Sequence, residues 1–355
     1  MTPIGGPLDR PVRVLVVDDT RTVRLLIRAL ASRDRRIEIV GEAADPIEAG
    51  QKLKELNPDV MTLDVEMPRM NGLVFLEKVL KHRPLPVIMI SSHTSANSDT
   101  AVKALALGAF ECFDVRRLRP SDPAAERLSE VLVAAATSRG LPGRAPPVAA
   151  AAPAATSDFR WNGKTVVIGS STGGVETLIR ILSDFPANGP PVVIAQHMPA
   201  NFLVSFAGRL EKLIAPKVAL ARPGLTVEQG TVWLGPGGEE HVALEGPRGN
   251  VLASVAKCES DLYSPSVEVL FTSAASLGRR AVAVMLTGMG RDGADGMLKI
   301  RDAGGHTIAQ SGETAVVDGM PRAARDIGAA VEVADLSDIA ARILDATGRP
   351  LTSAS

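Results

Sequence analysis

Aromatic side chains make up only 3% of this chain, which leaves little to stack against nucleic-acid bases. Neither sign of charge dominates. Thirty-nine Lys and Arg stand against 40 Asp and Glu, a formal net charge of −1, so no global basic field draws the protein onto phosphate backbones. There are two cysteines, Cys112 and Cys258, far apart and outside any Cys-x-x-Cys pair. That excludes a disulfide framework and a thiolate zinc site. No apolar run approaches the length of a membrane span, and the N-terminal segment lacks the pattern of a signal peptide. These absences predict a cytoplasmic protein, with no nucleic acid among its partners and no membrane insertion.

What remains is ample for a globular protein. The 355 residues, 45% hydrophobic and 22% charged, have room for two ordinary domains with sizeable cores. Ser138-Arg-Gly-Leu-Pro-Gly-Arg-Ala-Pro-Pro-Val148 and the Ala-rich run after it divide the sequence. The prolines at 142, 146, 147 and 153 oppose a helix there, and the composition predicts a semi-stiff linker over residues 138–160. Before it, strand-like Val12–Val17, Ile37–Val40, Val60–Asp64 and Val87–Ile90 alternate with helical spacing over Thr22–Ser32, Pro46–Leu56 and Leu73–His82. That alternation implies βαβ units in a doubly wound parallel sheet. After the linker the pattern resumes. Strands are predicted at Thr165–Gly169, Val192–Ala195 and Ala281–Leu286, helices near Val175–Leu182, Asn201–Leu210 and Ser266–Leu277, and short β segments over residues 217 to 256.

In the first domain Asp18 and Asp19 close the first strand and Asp64 closes the third. The carboxyl ends of parallel strands share one edge, where ligands bind. Three carboxylates gathered there repel one another unless a cation such as Mg²⁺ joins them. Asp64 can then serve as a nucleophile toward a phosphoryl group, with Ser91 donating its hydroxyl to the phosphoryl oxygens. Taken singly, a strand-end Asp is an ordinary turn former. Val17-Asp-Asp19, Leu63-Asp-Val-Glu-Met-Pro68, Asn71-Gly72, Pro86-Val-Ile-Met-Ile-Ser91 and Gly108-Ala-Phe110 together resemble a response-regulator receiver domain over residues 11–137. The resemblance implies a flavodoxin-like fold and a phospho-acceptor at Asp64. It implies Mg²⁺ held by Asp18, Asp19, Asp64 and the backbone carbonyl of Glu66, and a chemotaxis histidine kinase as phosphodonor. Where the family places a lysine, this chain has Val115.

The second domain turns on Val166-Val-Ile-Gly-Ser-Ser-Thr-Gly-Gly174, an apolar strand running into a glycine-lined turn. A phosphate loop needs a lysine after its second glycine, and Val175 and Glu176 stand there instead. Gly288-Met-Gly-Arg-Asp-Gly293 matches the dinucleotide fingerprint literally. It comes late in the domain, however, and puts Arg and Asp where a helix should receive a pyrophosphate. Gly169-Ser-Ser-Thr-Gly173 instead matches Gly-x-Ser-x-Gly and presents Ser171 as a nucleophile. His197 follows the next strand as its general base, and Asp292 follows the Ala281–Leu286 strand to orient the imidazole. Three strand ends thus bring a serine, a histidine and an aspartate to one rim, with backbone N–H groups of the glycine turns for the oxyanion.

Ile168 to Gly174, Gln196-His-Met-Pro199, Gly235-Pro-Gly237, His241, Ser264-Pro-Ser-Val267, Leu286 to Gly293, Thr307-Ile-Ala-Gln310 and Gly319-Met-Pro321 resemble the catalytic domain of the chemotaxis protein-glutamate methylesterases, the CheB family, over residues 161–347. That resemblance implies an α/β domain with a mostly parallel sheet, catalysis by Ser171, His197 and Asp292, and the backbone of Thr172 and Met289 at the oxyanion. It implies hydrolysis of glutamate γ-methyl esters on methyl-accepting chemoreceptors, and deamidation of receptor glutamines, under control of the phosphorylated receiver. No cofactor is expected for the esterase, and a monomer is expected in solution. Ser264 and Glu268 stand where the family often has arginine and aspartate. The same hydrolase acting outside chemotaxis is an alternative, as is a non-catalytic receiver adaptor. A DNA-binding regulator would carry a basic helical output domain, which this chain lacks.

Overall fold

The computed structural model describes residues 9–67, 70–83, 85–91, 95–118, 123–138, 159–246, 250–258 and 261–349. Two compact units divide at 147/148, within the predicted linker. Residues 139–158 of that linker, and Pro68 of the Leu63–Pro68 motif, lie outside the described residues.

In the first unit, strands β1 (Val12–Val17), β2 (Ile37–Ala43), β3 (Val60–Asp64), β4 (Val87–Ser91) and β5 (Glu111–Asp114) alternate with helices α1 (Arg21–Ala31), α2 (Pro46–Leu56), α3 (Gly72–His82), α4 (Ser95–Ala106) and α5 (Pro123–Thr137). The sheet is parallel throughout, in the order β2-β1-β3-β4-β5. Helices cover both faces, so the strands are continuous apolar runs rather than alternating ones; every residue of β4 is buried. The strand order reverses at β1, which opens a crevice beyond the carboxyl ends of β1 and β3. Local chemistry fixes the helix starts. The Asp45 side chain accepts the N–H groups of Ile47 and Glu48, with Pro46 in the first turn of α2. At Gly72 a Cβ would fall 2.0 Å from the Asp64 carbonyl oxygen, so only glycine lets α3 start this close to the end of β3.

The second unit holds β6 (Thr165–Ser170), β7 (Val192–Gln196), β8 (Lys217–Leu220), β9 (Thr231–Leu234), β10 (Glu240–Glu245), β11 (Val251–Ala256), β12 (Ala281–Met285), β13 (His306–Gln310) and β14 (Glu332–Ala334). Its helices are α6 (Gly174–Ser183), α7 (Ala200–Leu210), α8 (Val267–Ala274), α9 (Ala294–Asp302), α10 (Met320–Asp326) and α11 (Leu336–Thr347). Seven strands form one parallel sheet in the order β14-β13-β12-β6-β7-β9-β8, and β10 and β11 pair as a separate antiparallel hairpin. Val167, Val193 and Met285 of the sheet pack against Val267, Leu270 and Phe271 of α8. Burying a side chain such as Phe271 contributes roughly 2–3 kcal/mol. This packing fixes α8 to the face beneath β6, β7 and β12.

Several element boundaries differ from those expected, and around the second sheet the reasons are physical. β6 and β7 each run one residue further than predicted, because Ser170 pairs with Gln196 in the ladder and its Oγ donates to Gln196 Oε1 at 2.5 Å. The helix predicted over Ser266–Leu277 starts after Ser266, which caps it, and ends at Ala274. A 3₁₀ stretch, Ala275–Arg280, follows, with Gly278 at a φ of 54° turning the chain toward β12.

Candidate functional site

β12, β6 and β7 are neighbours, and their carboxyl ends lie side by side. Ser171 and His197 are the residues directly after the paired Ser170 and Gln196. The turn holding Ser171 is pinned from three sides. The Ser171 N–H donates to the Thr287 carbonyl at 3.0 Å, the His197 N–H donates to the Ser170 carbonyl at 3.0 Å, and Gln196 Nε2 donates to the Ser171 carbonyl at 2.9 Å. Gly173, at a φ of 80°, supplies the left-handed residue that turns the chain into α6. A Cβ on Gly288 would lie 2.8 Å from the Ser171 Cβ, so the glycine lets the loop after β12 close onto the serine.

His197 Nε2 meets Asp292 Oδ2 at 2.7 Å. The Asp292 carboxylate also accepts the N–H groups of Val267 at 2.7 Å and Glu268 at 3.0 Å and the Ser266 hydroxyl at 3.0 Å, so it sits at the N-terminus of α8. Burial alone would raise its pKa. The His197 bond and charge and the two backbone donors outweigh burial, and hold the carboxyl below the usual range. His197 Nδ1 is buried with no hydrogen-bond partner among the described residues, and no bond joins it to the Ser171 hydroxyl. Thr172 is buried beside the serine; its carbonyl accepts the Thr287 hydroxyl at 2.9 Å. Met289 lies between Gly288 and Gly290 in the loop that closes on Ser171, where a Cβ on Gly319 would come within 3.1 Å of its Cα.

In the first unit, Asp18, Asp19 and Asp64 bring carboxylate oxygens within 4.8 Å of one another. They line a cavity of about 510 Å³ together with Glu66, Ser91 and Val115. Burial, then the charge of Asp18, pushes the Asp64 carboxyl up to about 7. Burial, then the charge of Asp19, outweighs the Thr20 N–H bond and pushes Asp18 up to about 6. The Glu66 N–H donates to Asp64 Oδ1 at 3.2 Å. Three hard oxygen donors with this unrelieved repulsion suit Mg²⁺.

A family profile described as CheB methylesterase matches residues 166–343, and one described as response regulator receiver domain matches residues 14–114. The protein-glutamate methylesterase/protein-glutamine glutaminase 1 of Rhizobium johnstonii is 48% identical over 344 residues, covering 96% of this chain and 98% of its own length.

The chain belongs to the CheB methylesterase family.

A second relative with the same name, from Caulobacter vibrioides, is 47% identical over 94% of this chain and 97% of its own length. Among solved structures, the Thermotoga maritima CheB methylesterase catalytic domain is 36% identical, with a TM-score of 0.49, over 52% of this chain and 98% of that one. As a CheB protein, this one departs from the receiver pattern where the sequence indicated. Val115 lines the acidic cavity, and the neighbouring Arg116 guanidinium points to Asp114 at 3.5 Å. The side chain of Arg117 lies outside the described residues.

Several residues of this CheB site carried no role in the sequence analysis. The Tyr263 ring stacks on the His197 ring, with centroids 4.1 Å apart and planes at 4°. Ser266, inside the quoted Ser264–Val267 motif, is both N-cap of α8 and donor to Asp292. Gln196, quoted beside His197, holds the Ser171 carbonyl. The only signal for Ser266 and Gln196 was their presence in the motifs, and Tyr263, one residue before the Ser264–Val267 motif, had none, because the fold, not the spacing, brings them to the site.

Proposed function

We infer that this CheB protein hydrolyses glutamate γ-methyl esters on methyl-accepting chemoreceptors and deamidates receptor glutamines by the same acyl chemistry. The observation that carries the reading is the buried His197 paired with the largely buried Asp292 beside Ser171, where three parallel strands end together. With Asp292 ionised, His197 keeps its proton on Nε2 and offers the Nδ1 lone pair toward the serine. Ser171 Oγ bonds to the ester carbonyl carbon as its proton passes to Nδ1, and the backbone N–H groups of Thr172 and Met289 receive the oxyanion. The methoxy group leaves with that proton as methanol, or an amide nitrogen leaves as ammonia. Water then attacks the acyl-enzyme, gives its proton to His197, and releases glutamate and Ser171.

In the receiver, Asp64 accepts a phosphoryl group from a histidine kinase, and Ser91 donates its hydroxyl to that group. Asp18, Asp19, Asp64 and the Glu66 carbonyl hold Mg²⁺, which neutralises the phosphoryl oxygens when bound. Phosphorylation raises esterase activity.

Hydrolysis of a methylated chemoreceptor in ¹⁸O-labelled water tests the chemistry. Label entering the new glutamate carboxylate but not the methanol, and lost in Ser171→Ala, supports the reading. Equal incorporation by Ser171→Ala rejects Ser171 as the nucleophile, whereas no incorporation by wild type favours a non-catalytic adaptor.

A further inference from the structure

A second histidine–carboxylate couple, a buried histidine paired with a partly exposed aspartate, lies outside the candidate triad. His241, in β10, is 1% exposed, and its Nδ1 accepts the Ser266 backbone N–H at 3.0 Å. A backbone N–H only donates, so this nitrogen carries no proton. The ring proton therefore sits on Nε2, facing Asp261 Oδ2 at 3.0 Å. Asp261 also accepts the Cys258 N–H at 2.7 Å. One tautomer is fixed by bonds at both ends of the ring.

Ser266 links this couple to the candidate triad. As N-cap of α8 its own N–H lies outside the helical ladder, and His241 takes it. Its Oγ donates to Asp292 at 3.0 Å and accepts the Val269 N–H at 3.4 Å. The N–H groups of the next two residues, Val267 and Glu268, also donate to Asp292. The place of Ser266 therefore decides where three donors to Asp292 point, and His241 holds Ser266 from the other side.

We propose that His241, its tautomer set by Asp261, is a positioning residue that holds Asp292, and through it His197, in line with Ser171. The proposal rests on the triad reading above. The rival role is plain packing beneath the start of α8, and the two roles rank the same substitutions in opposite orders. In His241→Asn the amide oxygen stands near the place of Nδ1 and still accepts from Ser266, although much volume is lost. In His241→Gln more volume is kept and the amide nitrogen still faces Asp261, but nothing accepts the Ser266 N–H.

The test uses the full chain with acetyl phosphate, measuring kcat and KM for methanol release from methylated chemoreceptor beside the thermal midpoint of each variant. His241→Asn is expected to keep kcat within about threefold of wild type, and His241→Gln to lower it about tenfold to a hundredfold with KM nearly unchanged, the effect of one lost buried acceptor. Losses that follow side-chain volume and thermal midpoint, with Asn the worse, overturn the proposal. Wild-type kcat in His241→Gln does the same. Should His241→Gln fail to fold, Asp261→Asn at the partly exposed end of the couple takes its place: a severalfold loss of kcat in a folded protein supports the tautomer role, and an unchanged kcat overturns it. If Ser171→Ala releases methanol as fast as wild type, the triad reading itself fails.

Discussion

His197 Nε2 lies 2.7 Å from Asp292 Oδ2, whereas Nδ1 of the same buried ring meets no partner among the described residues. The carboxylate thus claims one ring nitrogen and leaves the other to take a proton. On the triad reading proposed above, Nδ1 is therefore the base.

Asp292→Asn preserves the outline of the side chain and removes the charge that selects the tautomer. An uncharged amide also faces the Val267 and Glu268 N–H groups. We expect kcat to fall about 10⁴-fold with KM little changed, read from initial rates of methanol release. The pH dependence has a definite sign. The Asp292 carboxyl is held below its ordinary value, so its contribution is present above the unfolded-state value and is lost only as pH falls through the depressed one. Activity lost through Asp292 protonation at neutral pH would contradict this assignment.

Tyr263 covers one face of the His197 ring. Stacked aromatic pairs contribute about 0.5–1.5 kcal/mol beyond the area they bury. Tyr263→Phe keeps the ring and should hold kcat within about threefold, while Tyr263→Leu should lower it about tenfold, since 1.36 kcal/mol is one decade of rate. Equal rates in Phe and Leu variants would show that stacking on His197 contributes nothing to turnover.

The raised carboxyls of Asp18, about 6, and Asp64, about 7, make Mg²⁺ and protons compete for the cavity. Metal binding must displace those protons, so affinity rises as pH climbs from about 5 and levels off above about 8. Calorimetric titration of the full chain across that window measures it. An affinity that is flat throughout would mean that both carboxyls are ordinary.

Val115 leaves the acidic cavity without an ammonium on that wall. Val115→Lys adds a positive charge near Asp64, which should weaken Mg²⁺ binding, by roughly tenfold for about 1.4 kcal/mol of added repulsion. The same titration reads it, and tighter Mg²⁺ binding by the variant would contradict the electrostatic argument.

Much of this was legible in the sequence, for a physical reason. Both main sheets are parallel, so apolar runs mark strands and the residues after each run lie at the ligand-binding edge. Asp18, Asp64, Ser171 and His197 could be placed that way, and Val115 by counting onward from Gly108-Ala. Asp292 needed its strand and the loop after it. Other features depend on tertiary packing. Tyr263 and Ser266 flank the start of α8, and reach His197 and Asp292 only because Val267 and Phe271 seat that helix against the sheet. His241 belongs to a hairpin outside the main sheet, where strand-end logic says nothing. Nor does any pattern of residue types reveal which imidazole nitrogen faces Asp292.

The most direct test of the account is the initial rate of methanol release from methylated chemoreceptor, for wild type and Ser171→Ala, with and without acetyl phosphate. The account predicts release by wild type that increases with the phosphodonor and disappears in Ser171→Ala under both conditions. Release that persists in Ser171→Ala, or that is absent from wild type even with the donor, would contradict it.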